Sequence, residues 1–316
     1  MNIRTDLAME AREILQKKDP ESVSGVSENH ETLAKGELTV TRVRIETEEG
    51  ARKMGKAIGN YVTLEFPAIP ERNMELEDEI ANQLAKELKA LLPEMTAKTT
   101  ALVVGLGNWN MTPDALGPRV VDQMLVTRHM LMAMPDAIDE RIRSVSAIAP
   151  GVLGLTGLET FEVISSLVER IAPDVLVVID SLAARKASRI GTTIQIADTG
   201  IQPGSGVGNR RQEISQKTLG IPVIALGVPM VVYASTIAQD AIEMALSGGK
   251  RGLNSLEEKL LENVQQQVLS GAFPQMVVTP KEVDELIEEA SKSLSEGLNM
   301  AFHDGLSLEE VRSYGV

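Results

Sequence analysis

The chain has 316 residues, of which 43% are hydrophobic, and its formal net charge is −14. It contains no Cys, which excludes disulfides, zinc–thiolate sites and cysteine nucleophiles. The negative charge argues against direct contact with nucleic acid, because phosphate recognition needs a basic face. No apolar run reaches the roughly 18 residues of a membrane span, and the charged start of the chain lacks the apolar core of a secretory signal. We therefore expect a cytoplasmic protein without membrane contact.

The first third of the chain predicts a few separate elements. Apolar residues at helical spacing indicate a helix, polar turn-forming residues indicate an exposed loop, and alternating residues indicate strands. In chain order these are a helix at 6–17, a loop at 20–36, strands at 38–45 and 61–66, and a helix at 75–92 that ends before Pro93. The alternation in Leu38–Ile45 slips once, which is typical of a bulged strand.

A regular alternation of strands and helices follows. The predicted strands lie at 100–106, 145–149, 174–179, 192–197 and 223–226, and the predicted helices at 118–130, 160–171, 231–246, 255–269 and 280–300. A turn is predicted at 183–189. Such an alternation implies right-handed crossovers, and therefore an α/β fold with a mostly parallel sheet and helices on both faces. Because no repeat or linker is evident, we expect residues 1–316 to form a single domain.

Two of the predicted strands lead into a carboxylate. The stretch Ala101–Pro118 predicts a buried strand, a tight glycine turn and a polar loop that carries Asp114. The apolar run of the strand at 174–179 ends directly in Asp180. Since the carboxyl ends of parallel strands form the ligand crevice of an open sheet, the two aspartates are candidates for acid/base chemistry on a water molecule. The alternative is that each aspartate only satisfies backbone N–H groups of a turn.

Two glycine-rich motifs resemble nucleotide-binding loops without completing their patterns. Gly105–Asn110 begins like a dinucleotide fingerprint, but Asn110 occupies the third glycine position. This turn is better explained by a close approach of its backbone to a substrate. Pro203–Arg211 lacks the Gly-Lys-Ser/Thr ending of a phosphate-binding loop. We expect it to be a loop that borders the site.

Other candidate catalytic patterns are incomplete. Asp198-Thr-Gly is the signature tripeptide of pepsin-like proteases, but it occurs once and inside an α/β alternation, which favours a turn. Ser205 lacks the strand–turn–helix context of a nucleophilic serine. The three histidines, His30, His129 and His303, show no metal-binding spacing. The sequence therefore predicts neither a metal site nor a cofactor.

Five motifs that follow one another along nearly the whole chain carry a family resemblance. They are Arg4–Ala8 (RTDLA), Gly105–Pro118 (GLGNWNMTPDALGP), Val178–Arg185 (VIDSLAAR), Asp198–Asn209 (DTGIQPGSGVGN) and Val278–Asp284 (VTPKEVD). With them the chain resembles the germination proteases of spore-forming bacteria. The resemblance implies an atypical aspartic endopeptidase of the spore core that degrades small acid-soluble, DNA-protecting spore proteins. It also implies a homotetramer and a fold similar to that of hydrogenase maturation endopeptidases, with additional N-terminal strands and C-terminal helices.

The resemblance places the two essential aspartates of the family at Asp114 and Asp180, where the residues themselves already indicated a site. Family members are made as zymogens with a short pro-segment. Only three residues precede Arg4, so either almost no pro-segment is encoded or the chain as given starts at the mature end, and trimming as its route of activation is in doubt.

The proposed chemistry needs one carboxylate as base and one as acid, which two nearby aspartates supply when they share a proton. The sequence does not decide which is which. Asn108 and the backbone of its turn are candidates for polarising the substrate carbonyl, and Arg185 for holding a carboxylate. Two other readings remain open at this point: a metal-assisted peptidase, and an α/β ligand-binding protein without peptidase activity.

Overall fold

The computed structural model describes residues 5–18, 24–68, 72–203, 211–238 and 276–314, and the single residues 241, 259 and 263. The strands are β1 (Val26–Leu33), β2 (Leu38–Ile45), β3 (Gly59–Glu65), β4 (Thr100–Gly105), β5 (Ser144–Ile148), β6 (Val175–Ala184), β7 (Thr193–Ala197), β8 (Val223–Tyr233) and β9 (Val277–Val278). The helices are α1 (Ala8–Lys18), α2 (Glu48–Met54), α3 (Met74–Leu91), α4 (Leu116–Asp122), α5 (Arg128–Ala133), α6 (Leu153–Thr156), α7 (Thr160–Ile171), α8 (Gln216–Leu219), α9 (Val283–Phe302) and α10 (Leu308–Ser313). Short 3-10 turns occur at Ala34–Gly36, Thr112–Asp114, Pro135–Ala137 and Ala187–Arg189.

All of these strands belong to one nine-stranded sheet, in the order β1-β2-β3-β7-β8-β6-β4-β5, with β9 beside β8. The four strands β5, β4, β6 and β8 are parallel to their neighbours in that group. The sheet continues beyond β8 through antiparallel pairs with β7, β3, β2 and β1. The predicted α/β class is confirmed, with the parallel strands β8, β6, β4 and β5 on one side of the sheet.

Helices cover both faces of the parallel strands. Ala101 and Val103 of β4 pack into a core with residues of α3, α4 and α9, whereas Leu102 and Val104 pack with Ile164 of α7. Because side chains alternate between two buried faces, these strands consist of continuous apolar runs. This double burial is the reason that β4 and β6 were easy to locate from the sequence.

Several sequence-based expectations at the N-terminal side and after β4 are wrong. The stretch expected to be a loop at 20–36 contains β1, an antiparallel edge strand whose residues are mostly exposed, so that it shows no apolar alternation. β2 has no bulge, since its register with both β1 and β3 is continuous. The helix expected at 118–130 is two helices, α4 and α5. Between them Leu125 N donates to Asn299 Oδ1 at 3.1 Å, so a contact with α9 replaces the helical bond.

Two strands extend further than the sequence indicated. β6 continues through Asp180 to Ala184, where a turn was expected to begin at 183, and β8 continues to Tyr233, where a helix was expected from 231. Residues 234–238 are helical, but residues 239–240 and 242–246 of the helix predicted at 231–246 lie outside the described residues. Of the helix predicted at 255–269, only residues 259 and 263 are described. The helix predicted at 280–300 is α9. Among the described residues, no helix is long and apolar enough to cross a membrane.

The junction between β4 and α4 depends on two glycines that touch. A Cβ on Gly105 would lie 2.1 Å from Gly117 O, and a Cβ on Gly117 would lie 2.3 Å from Leu106 O. The backbone at the end of β4 is therefore pressed against the first turn of α4. No side chain fits between them, and the loop that connects them is held as a compact unit.

Replacing Gly105 by Ala should destabilise the protein, because the atom that the new Cβ meets belongs to backbone and cannot rotate away. Overpacking of this kind costs about 1–3 kcal/mol. Gly154→Ala in α6 is the matched control, since nothing lies within 4 Å of its Cβ position, and we expect it to change stability by less than about 0.5 kcal/mol. Urea unfolding of the two variants measures the difference, and equal stabilities would contradict this account of the junction.

Candidate active site

Asp114 is placed by the compact loop between β4 and α4. Gly107 has φ +115°, and a Cβ there would lie 1.9 Å from Asp114 O, so only glycine fits. Asn108 N donates to Asp114 O at 3.0 Å, and Asp114 N donates to Met111 O at 2.8 Å. These bonds fold the loop back on itself and hold the 3-10 turn that ends in Asp114 against the end of β4.

Asp180 lies on β6 just beyond the point where β4 stops. Gly105, the last residue of β4, pairs with Ile179, and Leu106 N donates to Ile179 O at 2.8 Å. From Asp180 onwards β6 keeps β8 on one side, with Gly227 opposite Asp180, but has no strand on the other among the described residues. Asp180 therefore lies beside the carboxyl end of β4, and not at the end of β6 that the sequence had indicated.

Both carboxyl groups have raised pKa values, and the charge of Asp114 contributes to the rise at Asp180. Burial raises the pKa of Asp180 well above its usual range, and the charges of Asp114 and Asp6 raise it further, against the opposing effects of the Ser181 N–H and of Arg211. Burial also raises the pKa of Asp114, to about 6, while hydrogen bonding by Asn108 and the charge of Arg211 oppose the rise. Two carboxyl groups whose protonated forms are favoured in this way suit acid/base chemistry on water.

Two charged residues at this site were missed by the sequence analysis. Arg211 is the cation that lowers the pKa of both carboxyl groups, and it follows the glycine-rich stretch whose residues 204–210, including Ser205, lie outside the described residues. Asp6 comes from the Arg4–Ala8 motif, far away in the sequence. Arg211 is the last residue of Pro203–Arg211, the loop that was expected to border the site. Neither residue was singled out, because neither stands at the end of a predicted strand.

Asn108 and Arg185, the other two predicted site residues, have local hydrogen-bond partners. Asn108 Oδ1 accepts from Asn110 N at 3.0 Å, so its side chain stabilises the turn. Arg185 directly follows β6, and its backbone N–H donates to Glu10 Oε2 at 2.7 Å. The roles of Asn108 in polarising a carbonyl and of Arg185 in holding a carboxylate stay predictions.

Asp198 and the histidines lie in other surroundings. Asp198 accepts hydrogen bonds from Asn60 N at 2.8 Å and Asn60 Nδ2 at 2.5 Å, so it fastens a turn to β3. His30 contacts Thr41 and Glu28 on the surface of β1, and His129 is exposed. His303 is fully buried, where its Nδ1 accepts from Arg143 N and burial lowers its pKa to about 4. In the part of the chain that the structure describes, no three His, Cys, Asp or Glu residues form a group that could hold a metal ion.

The fold and the site define an α/β protein with two partly buried, coupled aspartates at the end of a parallel strand. A sequence model of the germination protease family matches residues 5–255 and 249–315. This chain belongs to the germination protease family, and thus to a family of peptidases.

Individual relatives agree with this assignment. A germination protease of Clostridium tetani is 46% identical over an alignment of 324 positions, gaps included, which covers 99% of each chain. One from Bacillus cereus is 40% identical over an alignment of 358 positions, which covers 99% of this chain and 97% of the relative. Among solved structures, the NiFe hydrogenase maturation protease HycI from Thermococcus kodakarensis matches 58% of this chain and 99% of its own, with 18% identity and a TM-score of 0.30.

Asp114→Asn should stabilise the protein at pH 8 but not at pH 4. The pKa of Asp114 is raised from 3.8 to about 6 in the fold, so its contribution to stability is present below the unfolded value and is lost as the pH rises through about 6. The neutral amide avoids this loss, which amounts to about 2–3 kcal/mol at most. Thermal unfolding at both pH values tests this, with Asp122→Asn, a change at an exposed aspartate of α4, as the control. A variant that is less stable than the wild type at pH 8 would contradict the raised pKa.

Proposed function

We propose that this chain is an endopeptidase that begins the degradation of small acid-soluble, DNA-protecting spore proteins during germination, with Asp114 and Asp180 activating water. Membership of the germination protease family supports the substrate class and the location in the spore core. The observation that carries the mechanism is the pair of partly buried aspartates at the end of β4, each with a raised pKa. All 316 residues would form one peptidase domain, assembled as the homotetramer that the family resemblance implies.

The surroundings of the two carboxyl groups are the basis on which we assign the roles. Burial and the negative charges of Asp114 and Asp6 raise the pKa of Asp180, whereas hydrogen bonding by Asn108 and the charge of Arg211 oppose the effect of burial on Asp114. We therefore assign the ionised form to Asp114 and the proton to Asp180. Ionised Asp114 takes a proton from the attacking water, and protonated Asp180 gives one to the nitrogen of the leaving amine.

The glycine turn after β4 supplies candidate donors to the developing oxyanion. Leu106 N, Asn108 N and Asn110 N already donate to protein acceptors. Gly107 N and Trp109 N donate to no residue in the described part of the chain, and the Nδ2 of Asn108 is a third donor at the same turn. Donors that need no rearrangement stabilise a charge that appears only in the transition state.

Exposed apolar side chains beside the aspartates suit a peptide substrate. Trp109 and Met111 are 46% and 56% exposed, and they lie in the same loop as Asp114. Leu155 and Leu158, at 60% and 53%, follow β5. Since β4 and β5 are adjacent and parallel, both loops lie at the carboxyl ends of these strands. A disordered spore protein free of DNA reaches this region in an extended form more easily than one bound to a duplex.

Asp114→Asn and Asp180→Asn should each reduce cleavage of a purified small acid-soluble spore protein by about 10²- to 10⁴-fold, the usual contribution of a general acid or base. Asp198→Asn should keep most of the activity, because Asp198 only fastens a turn to Asn60. Mass spectrometry of the products measures cleavage, and circular dichroism with gel filtration shows that the fold and the oligomer are intact. An indispensable Asp198 together with a dispensable Asp180 would mean that the site is elsewhere.

Activity should survive prolonged treatment with EDTA, and zinc or nickel should not raise it. The two-aspartate mechanism derives both proton transfers from Asp114 and Asp180 and assigns no step to a metal. The measurement is the rate of spore protein cleavage before and after chelation, with an enzyme of known metal dependence treated in parallel. A loss that one particular metal restores would instead support the metal-assisted peptidase. Absence of cleavage with tight binding of a small ligand would support the non-peptidase alternative.

A further inference from the structure

The segment Thr5–Glu10 occupies the edge of β6 that β4 leaves empty. Backbone groups of Ile179 face β4, where Ile179 O accepts from Leu106 N. Ser181 and then Ala183 follow along the same edge. The backbone groups of Ala183 face Asp6 and not β4. Asp6 N donates to Ala183 O at 3.0 Å, and Ala183 N donates to Asp6 Oδ2 at 2.9 Å. Asp6 thus replaces a neighbouring strand just beyond Asp180.

The position of Asp6 is fixed by bonds from other parts of the sheet. Its carbonyl oxygen accepts from Lys56 Nζ at 2.8 Å and from Gln195 Nε2 at 3.0 Å. Gln195 Oε1 in turn accepts from Ala8 N at 2.6 Å. Leu7 is fully buried in a small apolar cluster with Leu182 of β6. These hydrogen bonds and the burial of Leu7 fix the backbone of Asp6, and with it the carboxylate that accepts from Ala183 N.

A second carboxylate of the same segment holds the residues that follow β6. Glu10 is 1% exposed, and it accepts from Arg185 N at 2.7 Å and from Lys186 N at 3.0 Å. Its charge is balanced by Arg189 Nη1 at 3.1 Å. Asp6 and Glu10 together therefore accept from the backbone N–H groups of Ala183, Arg185 and Lys186, on a side where the described residues place no strand.

We propose that Asp6 is a positioning residue for Asp180: its carboxylate holds the unpaired edge of β6 and adds a third negative charge beside the two aspartates of the active site. The proposal rests on the proposed function and extends it, since the N-terminal motif becomes part of the proteolytic machinery. Asp6 does not touch the reacting atoms. It acts by fixing the strand that carries Asp180 and by helping Asp180 to keep its proton.

The charge of Asp6 changes the pKa of Asp180 in a defined direction. The charged groups that face Asp180 from the elements around it are Asp114, Asp6 and Arg211, and Lys56 faces Asp6 in turn. The charge of Asp6 raises the pKa of Asp180, so removing it lowers that pKa. Since the mechanism needs protonated Asp180, activity would then be lost at a lower pH on the alkaline side.

Two substitutions of Asp6 separate its two roles. Asp6→Asn keeps an oxygen that can accept from Ala183 N but removes the charge, whereas Asp6→Ala removes both. Glu13→Gln is the matched control, because it neutralises a carboxylate of the same segment that pairs with Arg189 and with Lys186 Nζ at 2.6 Å. The assay is kcat and kcat/KM for cleavage of a purified small acid-soluble spore protein as a function of pH.

For Asp6→Asn we expect the alkaline limb of the kcat/KM profile to move down by about half to one pH unit, the effect of one charge at several ångströms in a partly buried site, with kcat at the optimum within about threefold of wild type. For Asp6→Ala we expect the same movement and a kcat that is lower by about tenfold or more. Glu13→Gln should move neither quantity. An unmoved limb in both Asp6 variants, or an equal movement in Glu13→Gln, would overturn the proposal.

A readout that does not depend on cleavage keeps this test separate from that of the proposed function. The pKa of Asp180 can be followed by carbon NMR of labelled aspartate carboxyl groups in the wild type and in Asp6→Asn. We expect a lower pKa in the variant, and an unchanged value would overturn the proposal even if the enzyme is active. If the wild type cleaves no spore protein while the pKa still falls, the proposed function fails and the positioning role of Asp6 stands.

Discussion

The site depends on a difference in length between two neighbouring strands. β4 ends at Gly105, whereas β6 continues to Ala184, so the sheet has a step just after Ile179. Below the step, both strands are buried and paired. Above it, no described strand pairs with this edge of β6, and the loop after β4 folds across the gap with Asp114. Both aspartates lie at this step, and no other part of the described sheet brings two carboxylates with raised pKa values together.

The step imposes an energetic cost that the surrounding structure offsets. Raised pKa values mean that the ionised forms of Asp114 and Asp180 are disfavoured in the fold. The fold tolerates this because the two faces of the sheet bury large apolar cores, and because backbone contacts between Gly105 and Gly117 fix the loop. Unfavourable charge of this kind is typical of functional sites, where stability is reduced for the sake of chemistry.

The N-terminal segment completes the same step from the other side. Strand edges without a partner need hydrogen-bond acceptors and donors from elsewhere. Here the Asp6 carboxylate accepts from Ala183 N, and the Glu10 carboxylate accepts from Arg185 N and Lys186 N. The N-terminal segment is far from Asp180 in the sequence, but it hydrogen-bonds to the strand that carries Asp180.

The sequence predicted the parts of this arrangement that rest on local patterns. β4 and β6 were located because both faces of each strand are buried, and the helices α3, α7 and α9 because their apolar stripes are strong. β1 was missed because an exposed edge strand has no such stripe. Asp180 was selected for standing at the end of a strand, although β6 in fact continues beyond it.

What the sequence could not supply depends on contacts between distant segments. Asp6 and Arg211 reach the site only after the sheet has formed, and nothing in their local sequence indicates the direction that they face. The pairing of β8 with β7 instead of a further parallel strand also depends on tertiary packing. Recognition of the family motifs marked these segments as important without saying what they contact.

The central claim is that Asp114 and Asp180 form one coupled site. The most direct test is carbon NMR titration of aspartate carboxyl groups in the wild type and in Asp114→Asn. We predict that both carboxyl groups titrate above the usual range of aspartate in the wild type, and that neutralising Asp114 lowers the pKa of Asp180. Ordinary pKa values for both, or a value for Asp180 that does not respond to the change at Asp114, would contradict the claim.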